Sequence, residues 1–204
     1  MPERKPYDAV KRIIDVVASA AGLLVTAPVQ LATAAVVLAT HGRPVLFRQD
    51  RPGLHGEVFE LVKFRTMLHA DETRQTDAER LTKVGQFLRS TSLDELPTLW
   101  NVLKGDMSLV GPRPLRVHYL PLYSPEQARR HEVRPGMTGL AQVKGRNLLS
   151  WEARFLLDVE YVDSRSLKLD ASVLFATFGT VLNRKGVSAA GQATMSPFTG
   201  NHDG

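Results

Sequence analysis

The chain has 204 residues, enough for one domain with a real hydrophobic core. Its 26 Lys and Arg against 21 Asp and Glu leave a net charge of +5, a modest excess that suits nucleic acid, an anionic membrane surface or phosphorylated substrates without choosing among them. With no cysteine, a disulfide scaffold and a thiolate zinc site are excluded.

The first element is a run of 25 uncharged residues, Val16 to Thr40. As a straight helix it would extend roughly 37 Å, longer than the ~30 Å hydrocarbon core of a bilayer. It is too long for the apolar part of a signal peptide. Ala27-Pro28 lies at its centre, where the proline removes the N–H that would bond the Leu24 carbonyl. Basic residues flank both ends, Lys11 and Arg12 before and Arg43, Arg48 and Arg51 after. Because such charge stays on the cytoplasmic side, the favoured reading is a kinked helix-turn-helix that enters one leaflet and returns. A single span with a tolerated proline, and a buried helix of a soluble domain, stay open on the sequence alone.

Residues 43–67 read as two short strands, near 45–49 and 57–64, around a Pro-Gly turn. Periodicity predicts helices over 78–89, with Leu81, Val84 and Leu88 on one face, and over 95–103, 126–132 and 151–163. The last would turn Phe155, Leu156, Val159 and Val162 inward. Residues 171–182 form a 12-residue apolar run, too short to span, hence a core helix or one lying in the membrane interface. The expected architecture is mainly α with a small β element. It has a membrane anchor at 1–42, one globular domain at 43–190 and a polar tail at 191–204.

The densest chemistry lies in "TSLDELPTLWNVLKGDMSLVGPRP" (91–114). Ser92 and Glu95 match a capping box, with Asp94 well placed beside the helix dipole, so a purely structural reading is available. Pro97 fits better if the helix starts later, which would leave Asp94 and Glu95 at its mouth. Neighbouring residues lie about 100° apart on a helix, so the two carboxylates suit different tasks rather than a matched acid–base couple. An aspartate that attacks phosphorus must be shielded by cations, and Mg²⁺ with one or two carboxylates and substrate phosphate oxygens would do this. Arg89, Arg113 of "GPRP", Arg134 of "VRPGMTG" and Arg146 of "KGR" supply phosphate-matching guanidinium groups, and the Gly-Pro loops around them would bring backbone N–H groups close to an anion. Each alone reads as a surface or ion-pair residue. Together, beside an acidic pair on a membrane-bound chain, they point to phosphoryl transfer on a lipid.

These residues identify a family resemblance. "FRQDRPGLHGEVFELVKFRTM", "LRSTSLDELPTLWNVLKGDMSLVGPRP" and "RPGMTGLAQVKGR" resemble the bacterial sugar transferases, the monotopic polyprenyl-phosphate phosphoglycosyl transferases. The resemblance runs from "KRIID" to "FTGN" and is to the minimal form, without a multi-span extension before the anchor. It implies a re-entrant helix kinked at Ala27-Pro28, amphipathic interfacial helices and a catalytic domain on the cytoplasmic face of the bacterial inner membrane. The implied reaction converts a UDP-sugar and undecaprenyl phosphate to polyprenyl-diphosphate-sugar and UMP. Carried over, Asp94 would be the nucleophile and a ligand of Mg²⁺, and Glu95 a base or acceptor-orienting group. Lys63, Arg89, Arg113, Arg134 and Arg146 would contact phosphate and nucleotide. The tail resembles enzymes that use acetylated amino sugars. Three departures stand out: Ala27 where Ser usually precedes the proline, Thr98 where Gln is common, and Lys144 where Asn is common. The competing class is a non-catalytic membrane-anchored binding protein with a basic face. Nucleic acid is a poor partner, since the basic residues are dispersed and aromatics make up only 7% of the chain.

Overall fold

A single helix, α1 (Pro6–His41), carries the long apolar run. The structure, a computed structural model, describes residues 6–145, 149–182 and 197–200. The helix is unbroken at Pro28, so any bend there is carried within one 36-residue element rather than by a turn. Thr26 donates its hydroxyl to the Gly22 carbonyl, four residues back, at 2.6 Å, and so does not serve the Leu24 carbonyl freed by the proline.

The buried face of α1 is the polar one. Asp8, Arg12, Asp15, Ser19, Gly22, Thr33, Val37 and His41 recur at helical spacing, and the contacts made from this stripe run from end to end. Tyr7 donates to Asp170 at 2.6 Å, and Lys11 pairs with the same carboxylate. Arg12 donates to the carbonyls of Val102 (2.7 Å) and Leu103 (2.8 Å). Asp15, buried, accepts from Ser108 Oγ and Leu109 N, both at 3.0 Å. Gly22 abuts Leu99. At the far end Arg65 donates to the carbonyls of His41, Gly42 (2.8 Å) and Arg43 (3.3 Å), where a helix end lacks its own donors. The apolar side chains face outward: Ile13, Val17, Leu24, Val25 and Leu31 are each at least 63% exposed.

The hairpin that follows, β1 (Leu46–Pro52) and β2 (Val58–Phe64), is longer than the sequence suggests on its first strand and pairs antiparallel with Phe47 opposite Lys63 and Gln49 opposite Leu61. The helix predicted over 78–89 is two: α2 (Asp77–Arg80) and α3 (Lys83–Ser90). Thr82 interrupts them by capping α3, its hydroxyl accepting from Gly85 N at 2.9 Å. Gly85 is required there, since a Cβ would lie 1.9 Å from the Thr66 carbonyl oxygen. The acidic pair sits in a 3-10 segment (Leu93–Thr98) leading into α4 (Leu99–Lys104). The helix predicted over 126–132 is α5 (Pro125–Ala128) continued by a 3-10 turn to Glu132.

Two three-residue strands were not expected from the sequence. β3 (Ser108–Val110) and β4 (Gly136–Thr138) pair in parallel, followed by the short α6 (Leu140–Lys144). α7 (Trp151–Ser164) and α8 (Leu167–Leu182) close the body. On α7, Phe155, Val159 and Val162 point inward as expected, but Leu156 is 69% exposed and Tyr161 and Asp158 are buried in its place. Aromatic side chains from three segments, Tyr119, Tyr123, Trp151, Phe155 and Phe198, form one cluster. α8 buries Val173 but exposes Phe175 and Phe178.

Candidate active site

The free edge of β2 decides where the acidic pair lies. Asn101, fully buried on α4, accepts from Val62 N (3.1 Å) through Oδ1 and donates to the Glu60 carbonyl (2.7 Å) and to Asp106 (3.0 Å) through Nδ2. Thr98 Oγ1 donates to the Val62 carbonyl at 2.9 Å. These bonds satisfy an edge that would otherwise be open and fasten the 3-10 segment against the strand carrying Lys63. The capping box does not form: Ser92 adopts a left-handed conformation (φ 57°) and its side chain caps nothing.

Glu95 is therefore free to face the hairpin, where its Oε1 accepts from Lys63 Nζ at 2.5 Å and from Arg113 at 2.9 Å. Burial would raise its pKa, but the two cations win and hold Glu95 below the ordinary carboxylate range. Asp94 differs. It is 8% exposed and accepts no hydrogen bond from the described residues. Burial, then the neighbouring Glu95 charge, push its pKa up to about 6, against the pull of Lys63, Arg89 and Arg113. One carboxylate is fixed and neutralised by cations, the other is left uncommitted.

Both carboxylates open on a cavity of about 770 Å³, lined also by Lys63, Arg89, Arg113, Arg51, Arg116 and Gln142. One face of the hairpin supplies Phe47, Gln49, Arg51, Leu61 and Lys63. Arg89 is held to the segment just after β2 by its Nε, which donates to Thr66 Oγ1 at 3.0 Å. The structure thus brings Lys63, Arg89, Asp94, Glu95 and Arg113 to one site. Arg134 is not among the lining residues; its Nε donates to the Gly105 carbonyl at 2.8 Å. Arg146 lies outside the described residues.

The glycines read from the sequence as phosphate-approach loops serve strand pairing. Gly111 N donates to the Thr138 carbonyl and Gly136 N to the Pro112 carbonyl, both at 2.9 Å. A Cβ on Gly136 would stand 2.1 Å from Gly111 N. These N–H groups are consumed by the β3–β4 pair and are not free to meet an anion.

Sequence reasoning missed the support beneath Arg113. Arg130 and Asp158, 1% and 2% exposed in their side chains, form an ion pair at 2.7 Å. Arg130 also donates to the Arg113 carbonyl at 2.8 Å and lies over the Tyr123 and Phe155 rings. No local spacing signals this pair, since the residues are 28 apart and sit on different elements. Removing one partner is expected to cost about 3–5 kcal/mol because it leaves a buried charge uncompensated. Asp158→Asn should therefore lower the urea midpoint sharply. An apolar pair, Arg130→Met with Asp158→Leu, should recover much of that stability while leaving Arg113 without its carbonyl anchor.

Among the described residues no group of three or more His, Cys, Asp or Glu could hold a metal ion by itself. The donors at hand are the uncommitted carboxylate of Asp94 and the second oxygen of Glu95. They fit a hard cation that keeps part of its shell for water and substrate phosphate, as Mg²⁺ does, rather than one caged by protein.

Comparison with known proteins places the chain among relatives. The family model described as bacterial sugar transferase matches residues 6–184. A Bacillus subtilis (strain 168) protein named "Uncharacterized sugar transferase EpsL" is 51% identical over 95% of this chain and 97% of its own length. The UDP-glucose:undecaprenyl-phosphate glucose-1-phosphate transferase of Caulobacter vibrioides is 41% identical over 88% of this chain and 72% of its own length. The undecaprenyl-phosphate galactose phosphotransferase of Salmonella typhimurium is 39% identical over 86% of this chain, which spans 41% of that relative.

Proposed function

The chain belongs to the bacterial sugar transferase family, and on that premise we propose that it transfers a phosphosugar from a UDP-sugar to undecaprenyl phosphate through an ester on Asp94. In the first step an Asp94 carboxylate oxygen attacks the sugar-bearing phosphorus of the donor. A bond forms from that oxygen to phosphorus, the bond from phosphorus to the bridging oxygen breaks, and UMP leaves with the electron pair. In the second step an oxygen of undecaprenyl phosphate attacks the same phosphorus. The bond to Asp94 breaks, the carboxylate is restored, and polyprenyl-diphosphate-sugar departs.

The observation that carries this reading is the division of labour between the carboxylates. Asp94 is the one without a hydrogen-bond partner among the described residues, and a nucleophile needs an uncommitted oxygen. Glu95 is a poor base, since Lys63 and Arg113 keep it ionised, and a phosphate acceptor near neutral pH has already lost most of its second proton. Its role is to hold those two cations at the site. Of the arginines expected to contact phosphate, Arg89 and Arg113 line the cavity with Asp94. Asp94, with the free oxygen of Glu95, would hold Mg²⁺, which would supply charge neutralisation of the diphosphate.

The membrane reading rests on α1. A helix whose polar stripe is packed along the domain, with its apolar side chains turned away, suits a segment embedded from one side better than one crossing the bilayer upright. Basic residues near both ends, Lys11 and Arg12, and Arg43 and Arg48, favour both ends and the domain on the cytoplasmic face. Exposed Phe175 and Phe178 on α8 give a further apolar surface for the interface.

Purified full-length protein in nanodiscs, given Mg²⁺, undecaprenyl phosphate and a panel of UDP-sugars, should release UMP with at least one donor. The relatives' names print glucose and galactose, so both belong in the panel beside acetylated amino sugars. No UMP from any donor would contradict the proposal.

A further inference from the structure

Among the cations lining the cavity that the chemistry above does not use are Arg51 and Arg116. Lys63 and Arg113 are occupied by Glu95, and Arg130 by Asp158. Arg51 and Arg116 line the same cavity, and among the described residues neither is in an ion pair. Arg51 is aimed by neutral acceptors. One terminal nitrogen donates to Gln49 Oε1 at 2.6 Å and the other to the Pro114 carbonyl at 3.4 Å, while its Nε is buried with no hydrogen-bond partner. A buried unpaired donor is costly, and here the group bearing it also stands against like charges. Burial, then Arg113, then Arg116, lower the Arg51 pKa to about 10, so it is still a cation at neutral pH.

The placement of these cations is ordered. The cations acting on Asp94 are Lys63, Arg89 and Arg113, whereas those acting on Arg51 are Arg113 and Arg116. Arg113 is shared, and Arg51 reaches the carbonyl of the very next residue, Pro114. Arg51 and Arg116 thus lie beside Arg113 on the cavity wall, on the Pro114 side of it. A diphosphate with one phosphorus at Asp94 would place its other phosphate in that direction.

We propose that Arg51 and Arg116 form a second phosphate position that holds the nucleoside monophosphate half of the donor, the phosphate that leaves rather than the one attacked. This rests on the reading of the donor as a nucleoside-diphosphate sugar. Gln49 and Pro114 orient the Arg51 fork in advance, and charge-assisted bonds to a phosphate would give the guanidinium the anionic partner it lacks. After the first step the same pair would retain UMP until it departs.

The test is a titration of nanodisc-embedded full-length protein with UMP, UDP, uridine and inorganic phosphate, comparing wild type with Arg51→Gln and Arg116→Gln. Arg116 is exposed, so its substitution is not expected to disturb folding. Each variant should bind UMP and UDP about tenfold to a hundredfold more weakly, the effect of losing a charged hydrogen bond, and uridine as before. The KM for the UDP-sugar should rise in parallel while that for undecaprenyl phosphate stays. Arg51→Lys, keeping the charge without the fork, should fall between. Wild-type affinity for UMP in both glutamine variants would overturn the assignment. So would a change in the lipid KM alone, which would give the position to the acceptor phosphate, or inorganic phosphate showing the whole effect with UMP unaffected. If wild type turns over and only the subsite result fails, the proposed reaction stands; if wild type neither binds nor releases UMP, both fall.

Discussion

Asp94→Asn is expected to abolish UMP release, by roughly a thousandfold or more, as the loss of a covalent nucleophile does. The amide has nearly the same shape, so folding and membrane association should persist. The loss must appear with donor alone as well as with both substrates, because the residue acts before the acceptor arrives. Glu95→Gln should also lose turnover, but for another reason. It removes the anion that Lys63 and Arg113 share, leaving two cations facing each other beside Asp94. That variant should lose stability as well as rate, whereas Asp94→Asn should not. A non-catalytic binding protein with a basic face predicts no such contrast, only a small change in surface charge.

The raised pKa of Asp94 gives the second large effect, and it acts on rate and stability in opposite directions. A nucleophilic carboxylate must be ionised, so kcat/KM should show an acid limb of about tenfold per pH unit, and because a Mg²⁺ ion beside the carboxylate favours its charged form that limb should lie below the pKa of about 6 of the metal-free site. For stability, the native pKa of about 6 lies above the ordinary value of 3.8, so the native state binds this proton more tightly than the unfolded chain. The group's favourable contribution is complete below 3.8 and is lost as pH rises through 6. The difference corresponds to about 3 kcal/mol. Asp94→Asn, which never ionises, should therefore match wild type near pH 3.5 and be more stable by up to about 3 kcal/mol above pH 7. Chemical denaturation without Mg²⁺ across that range would show it. Equal stability of the two proteins at pH 7.5 would mean that burial does not penalise the Asp94 charge.

Much of the site was legible because its chemistry is local. Asp94 and Glu95 are adjacent, and Arg89, Lys63 and Arg113 lie in motifs that carry their own turn residues. What was misread depended on contacts between distant segments. Arg134, expected among the phosphate contacts, is not among the residues lining the cavity and turns its Nε to the Gly105 carbonyl, and the N–H groups of Gly111 and Gly136 go to a strand pair too short to detect. The helix over 78–89 has sound apolar periodicity but breaks at Thr82, whose side chain caps α3. Leu156 has the right spacing for the core, but α7 turns Asp158 and Tyr161 inward because Arg130 and Asp170 wait there as partners. One missed residue did have a signal. Phe47, Gln49 and Arg51 alternate along β1, so a strand reading that places Lys63 in the site places Arg51 on the same face. The inverted α1 was half legible: the uncharged run marks a helix long and apolar enough to cross a membrane, while the small and polar residues at every third or fourth position mark the side that meets the domain.

Intact-protein mass spectrometry after mixing nanodisc-embedded protein with a UDP-sugar, without acceptor, tests the central claim most directly. The account predicts a mass gain equal to one phosphosugar, located on the peptide containing Asp94, absent from Asp94→Asn and discharged on adding undecaprenyl phosphate. An unmodified protein, with UMP formed only when both substrates are present together, would contradict it.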